Sequence, residues 1–99
     1  MDVYHAIADG NRRKLLDLLS REERAVQDLV PHFDVTTGAV SQHLKILLAS
    51  GLVTRRKAGR FRLYRANAAA LQDVHAWTAR YRRFWDSRLD RLGAYLDEA

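Results

Sequence analysis

The stretch TTGAVSQHLKILLASGLVTRRKAGRFRLYR, residues 36–65, decides how this chain folds. At about 100° per residue, Val40, Leu44, Leu47 and Leu48 fall on one side of a helix over 37–49. Gly38, Ser41, Gln42, Lys45 and Ala49 fall on the other. Both ends are marked. Thr36 is a side-chain N-cap, with Val35 before it placed to staple onto Val40. Gly51 stands where a left-handed residue closes a helix, and Leu52 is placed to pack back on Leu47. Beyond Gly51 the hydrophobic period drops to two. Residues 52–57 and 60–65 read as strands joined by Ala58-Gly59, with Phe61 and Leu63 facing one way and Arg60, Arg62 and Tyr64 the other.

Working outward, residues 2–8 carry Val3, Ala6 and Ile7 at helical spacing. Asp9 is an N-cap for a second helix, in which Leu15, Leu18 and Leu19 recur with Leu16 beside them. Arg12, Arg13 and Asp17 are expected on its other face, and residues 20–23 read as a polar break. Residues 25–32 read as a third helix burying Val26, Leu29 and Val30, with Pro31 near its end. After the hairpin the helical period returns over 68–97. Leu71, Val74, Thr78, Tyr81, Trp85, Leu89, Leu92 and Leu96 form one stripe, with Trp77 and Phe84 alongside.

The expected fold is therefore mostly α with a small β-hairpin: four helices, two strands and a long last helix. That is the layout of a winged helix-turn-helix, with residues 1–99 as a single domain. Cysteine is missing from the sequence, which excludes a disulfide framework, a thiolate metal site and a cysteine nucleophile. The first residues have neither the basic nor the apolar region of a secretory signal, and no apolar run is long enough to span a bilayer. The expectation is a cytoplasmic protein without membrane contact.

Charge is concentrated. Net charge is +5, yet residues 51–65 hold Arg55, Arg56, Lys57, Arg60, Arg62 and Arg65 and no acid, while the remainder holds 11 basic and 12 acidic residues. A focused basic segment attracts polyanions, and duplex DNA is the commonest. The outer face of the 37–49 helix is narrow, small near its start and free of acids, as a major groove about 12 Å wide requires. Gln42 can pair bidentately with adenine, Ser41 can donate or accept, and Lys45 can reach phosphate or guanine. His43, at the edge of the buried side, is a secondary contact. Thr36 and Thr37 can bond phosphate at the helix N-terminus. Arg55, Arg56, Lys57, Arg60 and Arg62 suit the backbone or minor groove, and Arg12 and Arg13 a phosphate clamp.

Asp9-Gly10-Asn11-Arg12-Arg13-Lys14-Leu15-Leu16, Ala39-Val40-Ser41-Gln42-His43-Leu44-Lys45 and Gly51-Leu52-Val53 together resemble the ArsR/SmtB family of bacterial repressors over nearly the whole chain. Gly10 departs from the proline often found there. The resemblance implies a homodimer joined through first and last helices, with Val3, Ile7, Val74, Trp77, Tyr81, Phe84, Trp85, Leu89 and Leu92 in its interface. It also implies repression at an inverted-repeat operator, relieved by an effector that the sequence does not name. The arsenic-type cysteine pair has no counterpart here. Asp73 and His75 match half of the zinc-type site, but the other half falls on Asp86 and Leu89, and Leu89 cannot ligate. The expectation is no metal and no cofactor, a metal-responsive repressor using a remnant of that site being one alternative.

The aromatics Trp77, Tyr81, Phe84 and Trp85 read as interface core, or otherwise as lining of a small-molecule pocket between protomers. His5 and His32 have no partner visible in sequence. An enzyme lacks its residues: no phosphate-cradling Gly-rich loop and no nucleophile–base pairing stand out. A protein-interaction module is the other rival, since the fold alone does not settle function. The basic hairpin and the acid-free helix face favour DNA.

Overall fold

The computed structural model describes residues 2–84, and the elements follow the expected order. α1 (Val3–Ile7) is capped by Asp2, whose carboxylate accepts the His5 N–H at 2.8 Å. So short a helix is marginal alone, and α2 (Gly10–Arg21) supports its end. Arg12 Nε donates to the Ala6 carbonyl at 2.7 Å, Arg12 Nη2 to His5 at 3.1 Å and Arg13 Nη1 to Ile7 at 2.8 Å. The Ala6 and Ile7 carbonyls are ones that a helix terminus leaves unpaired, and the His5 carbonyl also accepts the Ala8 N–H at 3.2 Å.

α2 begins at Asp9, whose carboxylate accepts from the N–H groups of Asn11 and Arg12 at 2.8 and 3.2 Å. The bond from the Arg12 N–H, above all, holds the Asp9 carboxyl below its ordinary value. α2 buries Arg12, Leu15, Leu16 and Leu19, spaced i, i+3, i+4 and i+7. This corrects the expected solvent-facing Arg12, and Leu18 is only half-buried.

α3 (Val26–Leu29) stops earlier than expected, and Val30–His32 continues as a 3₁₀ turn. Pro31 has no N–H to bond the Gln27 carbonyl and its ring would clash there. Ala25 and Leu29 are buried, whereas Val26 and Val30 are half-buried. α4 (Thr37–Ala49) matches its expected bounds. Thr36 Oγ1 accepts the Ala39 N–H at 3.1 Å. At the other end Gly51 has φ +80°, its N–H bonds the Leu48 carbonyl and the Leu52 N–H bonds Leu47, each at 3.1 Å. That paired closure is a Schellman motif, and it turns the chain directly into the sheet.

β1 (Val53–Ala58) and β2 (Phe61–Ala66) pair antiparallel, with Val53 opposite Ala66 and Ala58 opposite Phe61. The two-residue turn is Gly59-Arg60, one place later than expected. Gly59 takes φ +64° and no other residue type has positive φ among the described residues, so the turn is II′-like. The alternation in β2 holds, but the buried aromatic is Tyr64, on the arginine face, and Phe61 is exposed. Tyr64 and Arg24 exchange backbone hydrogen bonds, the Arg24 N–H to the Tyr64 carbonyl at 3.0 Å and the Tyr64 N–H to Arg24 at 2.8 Å. The polar break is therefore followed by a one-residue strand that anchors the hairpin base.

The expected last helix opens as a 3₁₀ turn (Ala68–Leu71) and becomes α5 (Gln72–Ala79), with a turn at Arg80 and Tyr81 before helical residues 82–84. α5 buries no residue. It lacks the packing that holds most helices, and Trp77, Thr78 and Tyr81 are weak helix formers. Trp85, Asp86, Leu89, Leu92 and Leu96 lie outside the described residues. The core gathers Leu15 and Leu19 of α2, Leu29 of α3, Val40, Leu44 and Leu47 of α4, then Leu52, Val53 and Tyr64.

Gly51→Ala forces a Cβ into the left-handed region and is expected to cost about 1 kcal/mol. Gly38→Ala, where a Cβ meets nothing nearer than Thr36 Oγ1 at 3.9 Å, is expected to lose no stability. Urea midpoints of the two variants check the contrast.

Candidate nucleic-acid interface

α4 turns its polar side outward because its apolar side is consumed by the core. Val40, Leu44 and Leu47 are buried, while Thr37, Gly38, Ser41, Gln42, Lys45 and Ala49 are exposed. No acid lies anywhere on α4. Thr36 Oγ1 satisfies the Ala39 N–H, which leaves the Thr37 and Gly38 N–H groups at the positive end of a 13-residue helix. An anion is welcome there. His43 is half-buried, as its edge position implied, and lies against Arg12 at 3.2 Å.

The hairpin divides its cations between two faces. Residues opposite one another in an antiparallel pair share a face, so Arg55, Lys57 and Arg62 lie on the face of Val53 and Tyr64. Val53 and Tyr64 are buried against the helical body, whereas the three cations are exposed. The basic end of the wing thus projects past the body. The side chains of Arg55, Lys57 and Arg62 have no hydrogen-bond or ion-pair partner among the described residues.

Arg56, on the other face, is engaged. Its Nε and Nη2 donate to the two Glu23 carboxylate oxygens, each at 2.9 Å. The Arg56 hydrogen bonds hold the Glu23 carboxyl below its ordinary value and raise the guanidinium. Arg60, at the turn, lies 5.5 Å from the centroid of the Phe61 ring. Of the paired arginines expected to clamp phosphate, Arg13 is exposed and bonded to Ile7, and Arg12 is withdrawn from the surface that a clamp requires.

A second surface is apolar. Trp77, Tyr81 and Phe84 are about half exposed on and beyond α5, and Val3, Ile7 and Val74 are half-buried. Tyr4, which the sequence did not single out, joins them: its ring meets Trp77 edge-on at 6.0 Å, and Trp77 meets Tyr81 at 5.6 Å. Its hydroxyl donates to the Asp73 carbonyl at 3.3 Å. Tyr4 follows Val3 in a five-residue helix, too short a pattern to assign its face.

Residues 9–55 match the family model for bacterial regulatory proteins of the arsR family. The chain is 36% identical over 76 residues to the transcriptional repressor SdpR of Bacillus subtilis, covering 77% of this chain and 84% of that protein. This chain belongs to the ArsR family. The crystal structure of a possible transcriptional regulator for arsenical resistance shares 41% identity and a TM-score of 0.74, covering 95% of each chain. A solution structure from Mycobacterium bovis, of the homodimeric winged helix-turn-helix DNA-binding domain of a possible ArsR-family regulator, shares 32% identity. Its TM-score is 0.63, covering 90% of this chain and 80% of that one.

The match to the ArsR model runs from the α2 cap to Arg55, so it takes in α2, α3 and α4 and ends within β1. Asp73 and His75, half of the zinc-type pattern, are exposed on α5, and Asp86 lies outside the described residues. No helix among the described residues is long and apolar enough to cross a membrane.

The division of wing cations has a direct readout on a polyanion column. Lys57→Ala with Arg62→Ala should elute from heparin at clearly lower salt. Glu23→Gln with Arg56→Gln, which deletes a neutral pair, should elute close to the unaltered chain. Equal shifts for the two double variants would contradict the division.

Proposed function

We propose that this chain is a DNA-binding transcriptional repressor that acts as a homodimer on an inverted-repeat operator. In each half-site α4 lies in the major groove, where Ser41 and Gln42 read base edges and Lys45 meets a base or phosphate. Thr36, Thr37 and His43 contact the adjoining backbone. Arg55, Lys57, Arg60 and Arg62 bring the wing onto the backbone or into the minor groove, and Arg13 adds a phosphate contact from α2. Residues 1–99 thus hold both the reading and the dimerising surfaces in one domain.

The observation that carries this reading is the acid-free outer face of α4 together with three exposed wing cations whose side chains have no partner among the described residues. A catalytic alternative has no comparable constellation among the described residues, and the relatives are named as transcriptional regulators. The dimer is supported by the aromatic surface shared by α1 and α5, and by an α5 that buries nothing in the single chain. The M. bovis relative is described as homodimeric.

Fluorescence anisotropy against duplex from upstream of the chain's own gene, over a salt series, tests the reading. Binding should exceed that to random duplex, and Gln42→Ala should weaken it about 5- to 150-fold, the worth of a bidentate base contact. Light scattering should give twice the 11.4 kDa chain mass, with Trp77→Ala shifting the population toward monomer. Equal, steeply salt-dependent binding to both duplexes would contradict sequence reading, and a monomer at micromolar concentration would contradict the dimer.

A further inference from the structure

Among the described residues Arg12 is the buried charge, and its guanidinium joins three elements. Two of its nitrogens donate to the last-turn carbonyls of α1, on His5 and Ala6. The third, Nη1, lies 3.2 Å from Nδ1 of His43 on α4. A guanidinium carries only N–H donors and stays charged throughout the range in which proteins fold. In this contact Nδ1 must therefore be the acceptor, which leaves the imidazole proton on Nε2. The ring is half-buried, so part of it reaches solvent, and Nε2 has no acceptor among the described residues.

We infer that Arg12 is a positioning residue that fixes His43 as its uncharged Nε2–H tautomer, so that α4 presents a neutral hydrogen-bond donor to a phosphate oxygen of DNA. The tautomer follows from the Arg12 contact alone. The phosphate as acceptor rests on the proposed function. The other charge close to the pair is the Asp9 carboxylate, which already accepts two backbone N–H groups at the head of α2. Its negative charge offsets the positive charge of the buried guanidinium. Arg12 also ties the ring to α1, so the placement of α1 and the orientation of His43 are set by the same group.

A neutral donor has a distinctive signature. It adds a hydrogen bond to DNA without displacing a counterion, so its removal lowers affinity and leaves the salt dependence unchanged. Loss of a cationic phosphate contact flattens the slope by about 0.9.

Long-range ¹H–¹⁵N correlation of the histidine rings in the free full chain, in neutral buffer, reads the tautomer directly. For His43, Nδ1 should appear unprotonated and Nε2 fully protonated, and Arg12→Met, which removes the donor, should let the Nδ1–H tautomer appear beside it. A proton on Nδ1 in the unaltered chain would overturn the assignment without recourse to any variant. In the DNA titration His43→Ala should weaken binding about fivefold, the worth of one hydrogen bond, with an unchanged salt slope. His43→Gln, whose amide N–H can take the place of Nε2–H, should recover part of the loss. A slope flattened by about 0.9 in His43→Ala would mean that the ring binds as a cation, and would overturn the neutral-donor role. Failure of the unaltered chain to bind DNA would contradict the proposed function and the phosphate contact with it, whereas the tautomer spectrum judges the Arg12 assignment by itself.

Discussion

The arrangement depends on the burial of the Val40, Leu44 and Leu47 ridge of α4 against α2, α3 and the first strand. Each such side chain contributes about 1.5–3 kcal/mol when fully buried, and together they fix the rotation of α4 about its own axis. Once that rotation is set, Ser41, Gln42 and Lys45 have only the outside to face. The same ridge ends in Leu47, whose carbonyl takes the Leu52 N–H in the closure at Gly51. Core packing, helix termination and the launch of the wing are therefore one local event.

Polar groups then refine what the apolar ridge has set. Arg12 ties α1 to α4 from the interior, and Arg24 anchors the hairpin base by backbone exchange with Tyr64. Beside it Glu23 takes up Arg56, which leaves Arg55, Lys57 and Arg62 as the exposed charge of the opposite face. A wing held at its base and uncompensated at its basic end suits a polyanion better than a hairpin of six free cations, because its direction is fixed. The aromatic surface of Tyr4, Trp77 and Tyr81 links the first and last helices within one chain. Its exposure is what the proposed second copy would remove.

Most of this architecture was legible because it rests on strong local signals. The caps at Asp9 and Thr36, the closure at Gly51 and the change of period after it all fell where the residues indicated. What escaped was non-local or ambiguous in period. Arg12 occupies the i position of the stripe completed by Leu15, Leu16 and Leu19, and that spacing could have revealed it. Its charge argued the other way, since burying a guanidinium requires the α1 carbonyls, which no local pattern announces. The Arg24 bridge is a single residue with no period at all. The one-residue shift of the hairpin turn reflects Gly59 serving the first rather than the second central position. In the last helix the apolar stripe showed the helical period, but it could not show where a helix that buries no residue within the chain breaks into turns.

Dimethyl sulfate footprinting of the chain bound to its upstream DNA tests the central claim, that α4 reads the major groove, most directly. The reagent modifies guanine N7 in the major groove and adenine N3 in the minor groove, so one experiment reports on both. The account predicts protected guanine N7 positions in two patches about one helical turn apart, with minor-groove protection confined to their flanks. Protection of adenine N3 alone, with every guanine N7 still reactive in the bound complex, would contradict it and leave the wing as the sole contact.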